Sequence, residues 1–219
     1  MAASFPETAI STERLLLRPL ADDDAPGLVA MMADELVHAW TDVPQPFTEA
    51  HAVEWSRTRA PAHRAQGYGI AFTVTEHLTR RVVGVVELRN TDWRLLSTEI
   101  CYVIAPWARG EGYAPEAVLG VAQWLFEDRG FLRLELRTAA GNTAAQQVAQ
   151  KIGCISEGVL RSAWIVRDIE AATPGPGPLQ GRRPAGESRS DLILWSLLPE
   201  DMEPAPDPVW AGERYVLRD

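Results

Sequence analysis

The sequence predicts a single domain of the mixed α/β (α+β) class, built on one sheet. Two patterns support this prediction: short runs of apolar or alternating residues are typical of strands, and apolar residues three and four positions apart are typical of helices. In chain order these runs give a strand, two helices, three strands, a helix, a strand, a helix and two strands. A doubly wound sheet would alternate regularly, so this order favours a mixed sheet.

The N-terminal part predicts one strand and two helices. The strand is expected over residues 15–20. Asp22 to Asp24 supply the cap and the first-turn carboxylates of a helix that runs through Met32. Residues 37–47 contain two prolines and are predicted to form a loop, after which Thr48 caps a second helix.

The middle of the chain predicts three strands. Residues 70–75 and 82–88 form the arms of a hairpin whose turn covers 76–81. The next strand, over residues 98–104, presents two faces because successive side chains point to opposite sides. One face carries Ile100, Tyr102 and Ile104, and the other carries Glu99, Cys101 and Val103.

The C-terminal half predicts two more helices and three strands. Gly130 and Gly153 suit the ends of the two helices, since glycine is favoured just past a helix C-terminus. The predicted elements are a helix over 117–128, a strand around Leu134 and Leu136, a helix capped by Asn142, and strands over 159–166 and 192–198.

One domain over residues 10–198 accounts for all of these elements. Residues 171–189 are rich in proline and glycine, which hold neither a helix nor a ladder, and are predicted to be a long loop. Residues 199–219 form a C-terminal extension, in which Trp210 and Tyr215 leave open whether it docks on the domain or hangs free.

Composition limits the classes of function. The chain has 219 residues, of which 46% are hydrophobic, and a formal net charge of −9, which argues against general nucleic-acid binding. No apolar run is long enough to span a membrane, and the first residues lack a signal-peptide pattern, so the cytoplasm is expected. Cys101 and Cys154 lie in apolar runs and predict buried free thiols, with no metal site.

The most informative segment follows the strand over residues 98–104. It contains Gly110 and Gly112 and opens the helix that follows. Glycines allow close approach of backbone N–H groups to a ligand, and a helix N-terminus adds unpaired donors and partial positive charge. A third glycine of a dinucleotide fingerprint is missing, and no nucleotide-triphosphate loop is present. The segment predicts a phosphate or diphosphate site, with a purely structural tight turn as the alternative.

Several segments, in the right order over residues 10–198, resemble the GCN5-related N-acetyltransferase (GNAT) family, in particular its ribosomal-protein N-terminal acetyltransferase branch. Arg109-x-x-Gly112-x-Ala114 is similar to the diphosphate loop of that family. The other matching segments are Glu13–Leu20, Glu99–Pro106, Asn142 with Lys151–Cys154, Glu157-Gly158 with Arg161, and Asp191–Leu197.

The resemblance implies acetyl-CoA as the cofactor and an amine as the acceptor. It also implies a mostly antiparallel sheet of seven strands, splayed between the fourth and fifth strands to admit the pantetheine arm, with about four flanking helices. By position, Val103 and Ile104 would offer backbone groups to the arm, and Asn142 would contact the cofactor near it. The diphosphate would lie against Arg109, Gly110, Glu111, Gly112, Tyr113 and Ala114.

Amine acetylation needs a proton acceptor, an oxyanion donor and, in some enzymes, an acid for the leaving thiolate. Glu99 is the predicted base, with a carboxylate paired to an arginine as the alternative, and the Val103 N–H is the predicted donor to the thioester carbonyl. The family's usual acid positions are occupied by Ala145 and Ala149, which cannot donate a proton. Tyr102 and Tyr68 are the available substitutes.

The acceptor is expected to be a protein N-terminus or a small amine. His38, Trp40, Asp92 and Trp164 are the predicted acceptor-binding residues, with ordinary packing as the alternative for each. The leading prediction is direct acetyl transfer to a primary amine in a ternary complex. A catalytically silent acyl-CoA-binding regulator on the same fold is the alternative, an oxidoreductase is disfavoured by the missing glycine, and the oligomeric state, a homodimer included, is left open.

Overall fold

The computed structural model describes residues 3–167 and 186–202. It contains one sheet of eight strands in the order β1-β2-β3-β4-β5-β6-β8-β7. All neighbouring strands are antiparallel except β5 and β6, which are parallel. The strands are Ile10–Ser11 (β1), Leu15–Arg18 (β2), Ile70–Glu76 (β3), Val82–Asp92 (β4), Ser97–Ile104 (β5), Arg133–Ala139 (β6), Ile155–Arg167 (β7) and Glu187–Leu197 (β8). The predicted mixed, mostly antiparallel sheet is confirmed, and the two-residue β1 is the strand that the prediction lacked.

Within the described residues, six α-helices flank this sheet. They are Ala25–Met32 (α1), Glu35–Trp40 (α2), Glu49–Glu54 (α3), Ala60–Ala65 (α4), Tyr113–Gln123 (α5) and Thr143–Lys151 (α6). A single π-helical turn joins α3 to α4, so that they run on as one helical segment, and another extends α5. Most of the loop predicted over 171–189, and the part of the extension with Trp210 and Tyr215, lie outside the described residues; residues 187–189 belong to β8.

The predicted loop over 37–47 is wrong in its first part, because α2 extends to Trp40. The Asp34 side chain caps this helix by accepting a hydrogen bond from the Val37 amide at 3.1 Å. The helix buries Val37 and Ala39, and the two prolines of the segment follow it. Capping and burial of one apolar side therefore outweigh the mixed composition that suggested a loop.

The helices cover both faces of the sheet. Phe72 and Thr73 are consecutive residues of β3, so their side chains point to opposite faces. The ring of Phe72 lies against Trp124, which follows α5, while the Thr73 hydroxyl donates to Asp24 at the start of α1. The N-terminal helices therefore cover one face and α5 covers the other.

Asp24, which is buried, anchors α1 to the sheet by a partly buried ion pair with Arg18 of β2. Its two carboxylate oxygens accept hydrogen bonds from the Arg18 guanidinium at 2.6 and 2.9 Å. The Ala21 amide and the Thr73 hydroxyl also donate to Asp24, each at 2.9 Å. Burial raises the pKa of Asp24, but these hydrogen bonds and the Arg18 charge outweigh it and hold the pKa below its usual value.

The sheet opens between β5 and β6. These are the fourth and fifth of the predicted strands, because the prediction lacked β1, so the predicted opening is confirmed. The two strands pair only over Ser97–Ile100 and Arg133–Leu136, whereas β5 continues to Ile104 and β6 to Ala139. We call the space between the diverging ends of β5 and β6 the wedge. The wedge places backbone groups of the second half of β5 beside a cavity.

The backbone of β5 shows which of its amides face the wedge. The Ala105 amide donates to the Val83 carbonyl of β4 at 2.9 Å, whereas the Leu96 carbonyl accepts from Leu132 beside β6 at 2.8 Å. Alternate residues of a strand point their N–H and C=O groups to the same neighbour. The amides of Tyr102 and Ile104 therefore face the wedge, and the amide of Val103 faces β4.

Candidate active site

A cavity of about 1130 Å³ runs from the glycine turn, through the wedge, to the helices on the opposite side. At one end it is lined by Arg109, Gly110 and Gly112, and at the other by Trp40 and Trp164. A single continuous cavity can hold a phosphorylated cofactor and a second substrate together. This arrangement suits direct transfer between two bound molecules.

The turn before α5 presents backbone donors to this cavity. Gly110 and Gly112 adopt φ values of +85° and +79°, in the left-handed region that favours glycine. Within the described part of the chain, the amides of residues 110–114 donate to no protein acceptor. Free amides at the start of an 11-residue helix fit a diphosphate.

Arg14 fastens this turn to the N-terminal strands. Its guanidinium donates to the Glu116 carboxylate at 2.6 Å and to the Glu111 carbonyl at 2.9 Å. It also lies over the ring of Tyr113, 4.9 Å from the centroid, and the Tyr113 hydroxyl donates to Glu76 at 2.7 Å. The predicted loop residues Glu111 and Tyr113 thus have structural contacts, and the Glu111 side chain does not line the cavity.

Arg109 and Asn142, the two predicted cofactor side chains, both line the cavity. Arg109 pairs with Asp34 at 2.5 Å, which joins the turn to the cap of α2. Asn142 caps α6 by accepting a hydrogen bond from the Ala145 amide at 3.1 Å. Its side-chain NH₂ group makes no hydrogen bond within residues 3–167 and 186–202.

Glu99 lies in an arginine-paired position, which is the alternative that the sequence left open to its role as base. Its side chain is 4% exposed and accepts hydrogen bonds from Arg89 at 2.6 and 3.0 Å on one oxygen. Asn90 donates to the other oxygen at 2.9 Å, and Arg137 lies 3.6 Å from it. A carboxylate so occupied is poorly placed to take a proton from a substrate.

The backbone register disagrees with the donor role predicted for Val103. Its amide faces β4, because it lies two residues from the Ala105 amide that bonds to Val83. The Ile104 amide, also predicted, faces the wedge together with that of Tyr102. The sequence alone could not decide this, since either parity of the strand is compatible with the same side-chain pattern.

The four predicted acceptor residues divide into two pairs. Trp40 and Trp164 line the cavity, whereas the lining formed by the described residues does not include His38 and Asp92. Asp92 instead accepts hydrogen bonds from the Arg94 and Leu95 amides at 2.8 and 2.9 Å, which shape the β4–β5 turn. His38 lies on α2 with Nδ1 buried.

Glu87 of β4 lines the cavity and is absent from the predicted site. Burial raises the pKa of its carboxyl group, although the nearby charges of Arg59, Arg89 and His63 oppose this. The nearest of these groups is the His63 imidazole, whose Nδ1 lies 4.0 Å from Oε1. A lone acidic residue in the apolar run 82–88 was the available sequence signal.

Tyr102 of β5 points to the opposite face of the sheet. Its hydroxyl is buried, has no hydrogen-bond partner among the residues described, and the side chain lines the cavity. Burial raises its pKa above the usual value, so the hydroxyl stays protonated at neutral pH. Tyr68, the other substitute suggested by the sequence, donates instead to Asn90 at 2.7 Å.

Both cysteines are free thiols, as predicted, but they are half-buried rather than buried. Burial raises the pKa of Cys101 and of Cys154 to about 12, so both remain protonated near neutral pH. Residues 3–167 and 186–202 contain no cluster of three or more His, Cys, Asp or Glu side chains that could hold a metal ion. Over the same ranges, no helix has the length and apolar character needed to cross a bilayer.

Comparison with known proteins agrees with this architecture. The chain is 25% identical over 152 residues to the uncharacterized N-acetyltransferase YoaA of Bacillus subtilis, which covers 69% of this chain and 85% of that protein. A putative ribosomal-protein-serine acetyltransferase from Vibrio cholerae has the same fold, with a TM-score of 0.68, 23% identity and coverage of 89% of this chain and 99% of that one. RimL, an acetyltransferase of ribosomal L7/L12 solved with coenzyme A, gives a TM-score of 0.71 at 14% identity, covering 90% and 100%.

The family model of the acetyltransferase (GNAT) domain matches residues 14–155. This match spans both the glycine turn and the wedge, and it agrees with the resemblance seen in the sequence. The chain belongs to the GNAT acetyltransferase family.

Proposed function

We propose that the protein transfers the acetyl group of acetyl-CoA to a primary amine by direct attack in a ternary complex. The observation that carries the proposal is the row of free amides at residues 110–114, which opens into the same cavity as the wedge and Trp40. These amides and the start of α5 fit the diphosphate, and the wedge fits the pantetheine arm. With the diphosphate at one end of the cavity and the amine at the other, the thioester and the amine meet between them.

The wedge-facing amides of Tyr102 and Ile104 are the donors that we assign to the pantetheine arm and the thioester carbonyl. They replace the Val103 amide of the sequence-based prediction. A backbone donor aimed at the carbonyl oxygen stabilises the negative charge that develops when the amine attacks. The Asn142 NH₂ group and Arg109 complete the proposed cofactor site, with Arg109 near the diphosphate.

Wild-type protein is expected to release free CoA from acetyl-CoA when supplied with an accepted amine. A thiol-trapping assay would follow release with Ala-, Ser- and Met-initiated peptides, spermidine and free amino acids. Peptides belong in the panel because solved neighbours are named as ribosomal-protein acetyltransferases. Binding of CoA by calorimetry, with no turnover of any amine, would instead support the silent regulator.

Tyr102 is our candidate acid for the departing thiolate. Tyr102→Phe should lower kcat by about tenfold with unchanged CoA affinity, a modest loss because a thiol with a pKa near 8.5 leaves readily without help. Steady-state kinetics and calorimetry on the same preparation would separate the two effects. Tyr68→Phe, which removes a hydroxyl bonded to Asn90, is the matched comparison. Equal kcat values for wild type and Tyr102→Phe would remove Tyr102 from the acid role.

A further inference from the structure

Glu87 lies further along the sheet toward the wedge than Glu99 does. In the β4–β5 ladder, Glu87 is opposite Cys101, whereas Glu99 is opposite Arg89. Cys101 is the first residue of β5 beyond the paired segment that ends at Ile100. Along the strand direction, the two residues are offset by two positions, or about 7 Å. Glu87 is therefore level with the point where β5 and β6 separate, although it lies on β4, one strand away. Glu99 lies on β5 itself, where β5 and β6 are still paired.

The carboxylate of Glu87 is also less occupied than that of Glu99. Within the described part of the chain, its closest donors are the Cys101 thiol, 4.0 Å from Oε2, and the His63 ring, 4.0 Å from Oε1. Its side chain is 22% exposed. Unlike Glu99, Glu87 thus keeps oxygen lone pairs available to a molecule in the cavity.

Resting on the proposed acetyl transfer, we infer that Glu87 is the catalytic residue that takes the proton from the acceptor amine, directly or through one water. Glu99 is then a positioning residue, which holds Arg89 and Asn90 beside it. The inference depends on the register of β4 and β5, the position of the wedge and the hydrogen bonds of the two carboxylates.

The proposed step is a proton transfer followed by acyl transfer. The ammonium group of the acceptor loses one proton to the Glu87 carboxylate, and its nitrogen lone pair attacks the thioester carbon. A C–N bond forms while the carbonyl electron pair moves to oxygen, and collapse of this intermediate breaks the C–S bond. The second nitrogen proton is lost to solvent. Tyr102 protonates the departing thiolate and regains a proton from solvent, and Glu87 releases its proton to solvent, so that the products are the amide and CoA.

The surroundings of Glu87 suit this step. A base works best when its pKa lies near the working pH, and burial shifts the Glu87 pKa upward from its ordinary value. The positive charges of Arg59 and Arg89 limit that upward pKa shift, and the Asp42 carboxylate adds to it. The ionisable groups that face Glu87 are Asp42, Arg59, His63, Arg89, Glu99 and Cys101.

Two isosteric acceptors test the inference. Ethylamine is protonated at neutral pH and must lose a proton, whereas methoxyamine has the same shape, is much less basic and is already neutral. Glu87→Gln should lower kcat/KM for ethylamine by about 100-fold and that for methoxyamine by no more than about threefold. Acetyl-CoA affinity should be retained. Equal losses with both acceptors, or no loss with ethylamine, would overturn the role of Glu87.

Two comparison variants sharpen this experiment. Glu99→Gln should lower both rates alike and reduce the melting temperature, because Arg89 loses its carboxylate partner and Arg137 keeps only Glu135 among the described residues. Glu127→Gln removes an exposed carboxylate bonded to Gln123 and should leave both rates unchanged. Selective loss of ethylamine turnover in Glu99→Gln rather than Glu87→Gln would return the base role to Glu99.

A titration separates failure of this inference from failure of the proposed function. In the acetyl-CoA complex of protein labelled with ¹³C at Glu carboxyls, the NMR signal that disappears in Glu87→Gln should titrate above the usual range for glutamate. A signal that titrates in the ordinary range would contradict the role of Glu87 even if neither small amine is turned over. Wild-type protein that neither binds CoA nor acetylates any acceptor would instead contradict the proposed function.

Discussion

Gly112→Val is expected to weaken CoA binding by at least about 100-fold, or about 2.7 kcal/mol. Gly112 precedes the first residue of α5 at φ +79°, a conformation that a β-branched residue adopts only with strain. A Cβ built there would lie 3.6 Å from the Arg14 guanidinium, so backbone strain outweighs steric clash in this change. The valine would turn the amides of the turn away from the diphosphate. Isothermal titration calorimetry with CoA measures the loss directly.

Gly130→Val is the matched control for this change. Gly130 follows the π-helical end of the same helical segment at φ +67°, and a Cβ there would meet no other atom within 4 Å. The two variants should therefore lose similar amounts of folding stability, while only Gly112→Val loses CoA affinity. If both bind CoA like wild type, the turn is not the diphosphate site.

Asp24→Ala should lower the free energy of unfolding by about 3–5 kcal/mol, because it leaves the Arg18 charge without its buried partner. The Ala21 amide and the Thr73 hydroxyl also lose their acceptor. For a chain of this size such a loss lowers the melting temperature by roughly 10 °C. Calorimetry or circular dichroism would detect this loss. The control is Asp23→Ala, at the preceding residue, whose side chain makes no hydrogen bond in the described residues; it should change the free energy of unfolding by no more than about 0.5 kcal/mol.

The same carboxylate predicts how stability responds to acid. The folded state holds the Asp24 pKa below its unfolded value, so its contribution is fully present above the unfolded pKa of about 3.9. That contribution is lost as the pH falls through the lower, folded pKa. Between neutral and acidic pH, the free energy of unfolding should therefore fall less steeply for Asp24→Asn than for wild type, as measured from denaturation curves at a series of pH values. Parallel curves would show that other groups dominate acid unfolding.

Local sequence patterns were sufficient for most of the fold. The hairpin over β3 and β4, the helix after the glycine turn and the cap at Asn142 each depend on residues close together in the chain. The error at α2 has a local cause as well: Asp34 is a good cap, but the prolines that follow it suggested a loop. Helix signals in a six-residue segment are weak, because such a short helix depends mainly on tertiary packing.

The candidate site was less predictable, because it depends on contacts between distant segments. The glycine turn follows from its own residues, whereas the choice between Glu87 and Glu99 depends on how β4 and β5 pair and on where β6 departs. The partner of Glu99 is Arg89, ten residues away, and no spacing rule selects it among the other arginines. The orientation of the Val103 amide likewise depends on the pairing parity of the strand, which composition does not encode.

The short pairing of β5 with β6 also determines where the sheet opens locally. Four rungs at Ser97–Ile100 hold the half-sheet β1–β5 to the half-sheet β6–β8. Beyond them the ladder stops, so the main-chain hydrogens of Tyr102 and Ile104 lack the strand partner that protects those of Val103. In the free protein, the amides of Tyr102 and Ile104 should therefore exchange with deuterium well before that of Val103. A ligand bound in the wedge should slow exchange at Tyr102 and Ile104 and so reduce this difference.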